Sequence, residues 1–560
     1  MSSCAIRSLR LLCLVLVCTA IGLAACAPSK DSTPGPTGYR GGTLIIATRA
    51  DPPSGWDSMR TTSISLHGPG GSLFGGANLT QRCRENMYLV CGQLAQSWVI
   101  NPGFTEYTFT IRANIFWHDG VPFTAEDAKF WLDLAYFGAK VGDKTRAPAN
   151  FRGELGPIKS IDLIDKNHLR VTFSSRNQYF VEALANPRLK LSHPKHLMQP
   201  LLDKGQVDVS PLDVGLVGTG PFKLKNFEPG VKIEVVRFDR YWEKDSQGGT
   251  LPYLDGITYV EIPDPNAMDA AFRSGRLDGG ARGDAHYLTQ ERRVGYEKDL
   301  GNQVVISEMN GGTFRLAFNL LRPGPWQDAR VRRAIALWID KPAAIPTVLG
   351  GTGWTTPDTG PANPFTNKLF LNWPRFDTNP LEQRRTEAKR LMAEAGYSNG
   401  FKMGHLCRSM FSTRCEFLKA QLAGLNIDLQ LQVVDDTVWN RERVLSNSDS
   451  EQGALTPPLV PEATESVYGR YGSNPDAYTK HDDKQIDDFY QRLRAATTTQ
   501  TRVDIWRELE RYLYVEQTYI IPVAESIQVI PYRSYVKGLP IPPEDGHTHT
   551  DFATVWLDKS

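Results

Sequence analysis

Cysteine spacing carries the most legible chemistry in this 560-residue chain, which has eight cysteines. Cys83 and Cys91 stand eight positions apart, and so do Cys407 and Cys415. That C-x7-C spacing is not that of a zinc knuckle. In an oxidising compartment the two pairs read as two local disulfides. Each would close a nine-residue loop and stabilise the fold by about 2–3 kcal/mol in the chain-entropy model. Cys4, Cys13 and Cys18 lie instead in an N-terminal segment with basic Arg7 and Arg10 and an apolar run from Leu11 to Gly22. This is the layout of a secretory leader, too short for a comfortable membrane span. Leu23-Ala24-Ala25 then sets small residues before Cys26, the pattern of a lipoprotein cleavage site. Cys26 is the expected lipidation site, and two or more acyl chains on it would give stable anchoring. Residues 1–25 are therefore expected to be a lipoprotein signal peptide, and 26–40 the lipidated cysteine and a Pro/Ser/Thr/Gly-rich flexible tether.

Other reactive patterns are missing. The chain has no G-x-S-x-G, H-E-x-x-H or phosphate-loop sequence, so no enzymatic activity and no cofactor are expected. His547-Thr548-His549 is the one tight histidine pair, in a Gly/Asp/Thr context that reads as a solvated turn and not as a metal site. Lys and Arg total 63 against 62 Asp and Glu, a net charge of +1. Removing Arg7 and Arg10 with the leader leaves 61 basic residues and a charge of −1, with no basic field for nucleic acid. Hydrophobic content of 41% and charged content of 22% fit a globular chain long enough for two or three domains.

The elements that must position any site follow from periodicity. Tyr107, Phe109 and Ile111 alternate with Thr108, Thr110 and Arg112, a strand with one buried face. Trp117-His118-Asp119-Gly120 turns the chain. Thr124 and Asp127 have capping-box spacing, and Phe130, Trp131, Leu134 and Tyr136 recur at helical spacing. This aromatic cluster reads as core. Residues 67–77, with GPGGSLFGG, read as a flexible loop. Strands alternating with helices elsewhere imply α/β lobes.

Three segments carry a resemblance. Leu94-Ala95-Gln96-Ser97-Trp98, then YTFTIR at 107–112, then WHDGVPFTAEDA at 117–128 are similar to the signature of the family 5 bacterial solute-binding proteins. These are the extracytoplasmic receptors of peptide, oligosaccharide and nickel ABC importers. His193-Pro194-Lys195-His196, Val217-Gly218-Thr219-Gly220-Pro221-Phe222, Pro252 to Ile257 and the Asp328–Asp340 helix continue the match in family order. Gly275-Arg276-Leu277-Asp278 departs from the usual Gly-Glu-Ile-Asp. The resemblance implies an α/β, two-lobed periplasmic-binding-protein fold of class C type, with an extra small subdomain in the first lobe. Lobe I would comprise 41–62, 191–308 and 525–560, its small subdomain 63–190, and lobe II 309–524.

The resemblance also implies a ligand cleft closed by a hinge, a peptide or small-molecule ligand, and an ABC permease with its ATPase subunits as partners. A monomer is expected, held to the membrane by its lipid anchor alone. Cleft candidates are Arg49, Asp51 and Trp56 from the loop after the first strand, and Arg315, Trp439, Glu462 and Tyr468 from lobe II. Where peptide receptors of this family hold the ligand's α-amino group with an Asp, the best alignment here puts Leu459, with Glu462 or Glu465 as substitutes. A solute without an α-amino group, such as an oligosaccharide, is the alternative. A surface-anchored hydrolase or adhesion module is the alternative of another class. Mass spectrometry of the protein without reductant is expected to find Cys83 linked to Cys91 and Cys407 to Cys415; four free thiols would contradict this.

Overall fold

A computed structural model describes residues 40–559 apart from 62–65, 76–77, 85–88, 188, 281–289, 355–378, 453, 456–479 and 540–550. The chain starts with β1 (Thr43–Thr48), whose Leu44 and Ile46 are fully buried. Residues 67–74, expected as loop, instead form helix α1 (His67–Phe74). Tertiary packing overrides the glycine content: Leu66, Leu73 and Phe74 insert into the core beneath β1. The glycines of the partner segment explain the fit. A Cβ on Gly218 would lie 2.0 Å from the Leu73 carbonyl oxygen, and one on Gly220 would lie 2.4 Å from that of Ser72.

A separate core follows. Strands β2 (Ala95–Ile100), β3 (Glu106–Ile111), β4 (Ile158–Asp165) and β5 (His168–Phe173) form an antiparallel sheet in the order β2-β3-β5-β4, covered by α2 (Ala125–Phe137). Tyr107, Phe109, Trp117 and Trp131 are buried within it. The Asp127 carboxylate accepts the Thr124 N–H at 2.9 Å, and the Thr124 hydroxyl oxygen accepts that of Glu126 at 3.3 Å, which starts α2. Beside this sheet a disulfide joins Cys83 and Cys91 across a short hairpin. Arg84 then reaches Glu243 at 2.8 Å and Asp551 at 2.7 Å, clamping the hairpin to distant parts of the chain.

The chain returns to the first sheet through β6 (Phe222–Glu228), β7 (Lys232–Arg237), β8 (Gly256–Glu261) and β9 (Gly279–Gly280). Strand β1 pairs in parallel with both β8 and β9. His118 fastens the two cores together. Its Nδ1 accepts the Gly218 N–H at 3.2 Å, which leaves Nε2–H to donate to the Gly220 carbonyl at 3.1 Å.

Strand β10 (Val304–Phe318) then leaves this region. It leads to α3 (Ala329–Trp338), α4 (Leu381–Glu394), β11 (Phe401–Arg408), α5 (Ser412–Leu422), β12 (Ile427–Val434), α6 (Asp436–Val444) and β13 (Ser450–Gln452). A second disulfide links Cys407 at the end of β11 to Cys415 in α5. Helices α7 (Lys484–Ala495) and α8 (Thr499–Glu510) precede the long return strand β14 (Ile520–Arg533). One continuous sheet results, in the order β6-β7-β8-β1-β9-β14-β10-β13-β11-β12. Its middle pair, β10 and β14, is antiparallel from Val304 opposite Arg533 to Ala317 opposite Ile520. At one end Val529 and Ile530 pack into the β1-side cores; at the other, Phe314, Leu316, Ile521 and Val523 pack into the α3–α5 core. The molecule is thus a two-lobed α/β protein whose lobes share two long strands.

Burial pushes His118 down to about 4 and His405, hydrogen-bonded to the Ser450 hydroxyl at 2.9 Å, down to about 3. Both imidazoles are neutral in the folded chain, whereas unfolding releases them to about 6.5. The unfolded state therefore binds more protons between pH 6.5 and 4, and stability falls as pH falls through that window, by about 1.4 kcal/mol per pH unit for each histidine. Carboxylates such as Asp57, held well below the usual range, act only in stronger acid. Denaturant titrations at stepped pH are expected to show proton uptake on unfolding near pH 5 to which these histidines contribute about two protons, offset in part by raised carboxylates such as Glu261. His118→Gln is expected to remove one of the histidine protons.

Candidate functional site

The loop after β1 sits where parallel strands β1 and β8 end together, Thr48 beside Glu261. Asp51 is anchored there, its Oδ2 accepting the Gly230 N–H at 2.9 Å. Burial and the neighbouring Asp51 carboxylate raise Glu261 above the ordinary carboxylate range. Arg49 is partly exposed beside this pair. Trp56 is different: it is 1% exposed and meets Phe227 edge-on at 5.6 Å, inside the lobe core. Its indole is packing, with no open face for stacking on a solute.

Sequence reasoning missed the adjacent charged cluster. Asp57 is buried with Arg146 at 2.6 Å and His193 at 3.2 Å. These residues lie far apart in sequence, and only the motif around His193 gave any signal. The Arg146 guanidinium also donates to the Val209 carbonyl at 2.8 Å. All three side chains are buried, so the cluster joins segments and is closed to a solute.

In lobe II, Arg315 lies on β10 and Trp439 on α6. Arg315 is fully buried and contacts Glu451 of β13 at 2.8 Å. Arg315, expected at the cleft, is thus paired with a carboxylate of its own chain. Glu451 was not anticipated, because a buried polar run Ser450-Glu451-Gln452 has no apolar pattern to mark it as a strand. It faces a pocket formed with Asn319, Leu406, Arg443, Ser448 and Lys480. The pocket holds about 270 Å³ counted with its open mouth. Most of that is open solvent, with only about 20 Å³ enclosed, so the pocket is at most a subsite.

Arg443 links this pocket to Trp439. The guanidiniums of Arg408 and Arg443 lie 5.2 and 5.3 Å from the Trp439 ring centroid. Trp439 is 4% exposed, and its buried indole N–H has no hydrogen-bond partner among the described residues. Buried N–H groups are rarely left so without a reason. Arg408 ends β11, Trp439 opens the helix after β12, and the Cys407–Cys415 disulfide braces the junction. These are carboxyl ends of parallel strands, where α/β folds bind ligands. Two guanidiniums and an indole N–H suit an anionic group such as a carboxylate. Glu462, Tyr468, Leu459, Glu465, His547, His549 and Cys26 lie outside the described residues. Among the described residues no group of three or more His, Cys, Asp or Glu could hold a metal ion. Nor is any described helix long and apolar enough to cross a membrane.

Comparison with known proteins agrees with this architecture. Residues 90–460 match the model of the bacterial extracellular solute-binding proteins, family 5. The glutathione-binding protein GsiB of Escherichia coli K12 is 24% identical over 476 residues, covering 82% of this chain and 85% of its own length. The periplasmic oligopeptide-binding protein OppA of Haemophilus influenzae is 25% identical over 464 residues, 79% of this chain and 82% of that protein. Among solved structures, the periplasmic binding protein DppA of Helicobacter pylori, in complex with the peptide STSA, superposes with a TM-score of 0.77 at 22% identity. That alignment covers 93% of this chain and 99% of DppA.

Arg315→Met, which strands a buried Glu451, is expected to cost about 3–5 kcal/mol in thermal or chemical unfolding. Arg315→Met combined with Glu451→Leu is expected to recover most of that loss.

Proposed function

Because the chain belongs to the family 5 bacterial extracellular solute-binding proteins, we propose that it captures a peptide-like solute between its lobes and delivers it to an ABC permease for import. The observation that carries this reading is the pairing of β10 with β14. Two strands shared by two separately packed lobes make a hinge, and closure about them lets one ligand touch both lobes. The peptide class is supported by the relatives, named for binding glutathione and oligopeptides. It is supported too by the Arg408–Trp439–Arg443 group, whose chemistry suits a carboxylate. Arg49 and Asp51 of lobe I, with Glu462 and Tyr468 from the sequence of lobe II, are the residues proposed to bind the ligand. Binding and release need no covalent step, so the protein acts as a receptor and not as an enzyme. It works as a monomer, without cofactor, tethered outside the cytoplasmic membrane by lipid on Cys26 once residues 1–25 are removed.

The alignment of Leu459 with the position of an amine-binding Asp favours a second reading, a solute without an α-amino group. Native mass spectrometry of protein expressed without residues 1–26 separates the two. Bound masses that resolve into peptides support the first; a sugar or other uncharged mass supports the second. Trp439→Ala is expected to lower affinity for the captured solute at least tenfold, about 1.4 kcal/mol, by calorimetric titration; unchanged affinity removes Trp439 from the site. Cys26→Ser is expected to abolish incorporation of radiolabelled palmitate into the protein, and retained label would refute anchoring at that residue.

A further inference from the structure

Apart from the hinge, the lobes meet through residues that the solute-binding reading does not use. The segment 175–179 of the small subdomain lies between β5 and the following short helix, Phe180–Leu184. It is touched by α7 and α8 of lobe II. Arg494, at the end of α7, donates from Nη2 to the Arg176 carbonyl at 2.6 Å and to the Ser175 hydroxyl at 3.0 Å. Arg502, in α8, sets its guanidinium 4.6 Å from the Tyr179 ring centroid and donates to the Ala496 carbonyl at 2.9 Å. Arg494 is 7% exposed, Arg502 4% and Tyr179 4%. Helices α7 and α8 belong wholly to lobe II, where Ile486, Phe489, Leu493 and Leu509 pack with Ala317 and Ile520. The 175–179 segment belongs to the small subdomain, whose core holds Phe173 and Phe180 on either side of it.

Two arginines of one lobe are therefore buried against the other, 318 and 319 residues away in the chain for the Arg494 contacts. Any hinge rotation that separates α7 and α8 from the small subdomain must break the Arg494 bonds and the Arg502–Tyr179 contact and rehydrate both guanidiniums. We propose that segment 175–179 is a latch seat: Arg494 and Arg502 dock in it when the lobes close, so the small subdomain helps set the ratio of closed to open receptor. The seat is built for reversible docking. Arg494 is held there by a neutral carbonyl and a hydroxyl, and Arg502 by an aromatic face. Arg176, on the seat itself, carries the same charge as its visitors, while its guanidinium rests 4.3 Å from the Phe104 centroid and donates to Gln178 at 2.9 Å. The repulsion it directs at Arg502 opposes closure.

This proposal rests on the reading that the lobes rotate about β10 and β14, and the test separates the two ideas. In the mature chain, spin labels placed at the exposed positions Lys159 and Gln485 report the distance across the latch, and labels at Lys225 and Gln485 report rotation about the hinge. Pulsed electron-spin distance measurements are made without added solute, with far-UV circular dichroism confirming the fold. The double variant Arg494→Ala, Arg502→Ala is expected to lower the closed-to-open ratio roughly fivefold or more, as loss of charge-assisted hydrogen bonds should. The milder Arg494→Lys, Ser175→Ala pair is expected to shift it less, in the same direction. An unchanged ratio in both variants, with two distances still seen across the hinge, overturns the latch and leaves the hinge standing. A single invariant distance for the Lys225–Gln485 pair in wild type and variants overturns both.

Discussion

Everything in this molecule that bears on function depends on the pairing of β10 with β14. Each strand contributes apolar side chains to one lobe at one end and to the other lobe at the other end. The pair is hydrogen-bonded from the Val304–Arg533 end to the Ala317–Ile520 end, with two register shifts between, so it ties the lobes together at both ends. A two-strand ribbon twists and bends more easily than a packed sheet. Flexibility is therefore placed between the cores, while each core keeps its packing. The same pairing makes one sheet of two halves and explains why parallel strands occur on both sides of it, β1 with β8 and β11 with β12.

Within the first lobe the corresponding constraint is the meeting of three segments at His118. The histidine ring bridges the backbone at Gly218 and Gly220, and those glycines lie against the carbonyls of α1. The bridge needs one ring nitrogen as acceptor and the other as donor, so it needs the neutral imidazole. Burial supplies it by making the charged form unfavourable. Motifs a hundred residues apart are thus two halves of one joint. This joint, together with the Arg84 clamp and the Asp57–Arg146–His193 cluster, holds the small subdomain to the lobe that carries it.

What the sequence disclosed, and what it did not, divides along the range of the interactions. The alternation at Tyr107, Phe109 and Ile111 and the Thr124–Asp127 cap are local, and each has its counterpart in the structure. The residues 67–74 were misjudged because glycine is a local signal, while the force that makes α1 is burial against residues some 150 positions away. Trp56 was expected at the ligand cleft. An aromatic residue near a cleft loop carries no mark that tells a packing face from an open one, and its neighbour Phe227 arrives from another strand. Glu451 escaped notice for the same reason: its partner Arg315 comes from the adjacent strand, and a buried charge has no periodic pattern. The Arg408–Trp439–Arg443 group was legible only in its indole.

The energetics of closure set limits on how strong contacts between lobes can be. To carry a receptor from 1% closed to 99% closed, a solute must favour the closed state by about 5.5 kcal/mol. A hydrogen bond to a charged group contributes about 1.5–3 kcal/mol. Two from Arg494, with an arginine–tyrosine contact beside them, approach what the solute itself must supply. A contact that strong and unopposed would close the empty receptor and hide the cleft from its ligand. Arg176 provides opposition at the seat. Burial and the nearby Arg176 charge lower Arg502 to about 10, an environment that resists its cation while leaving it charged at neutral pH. A like charge at a buried contact looks like a flaw when judged by stability alone. In a protein that must reopen, it is the element that keeps closure conditional on the solute.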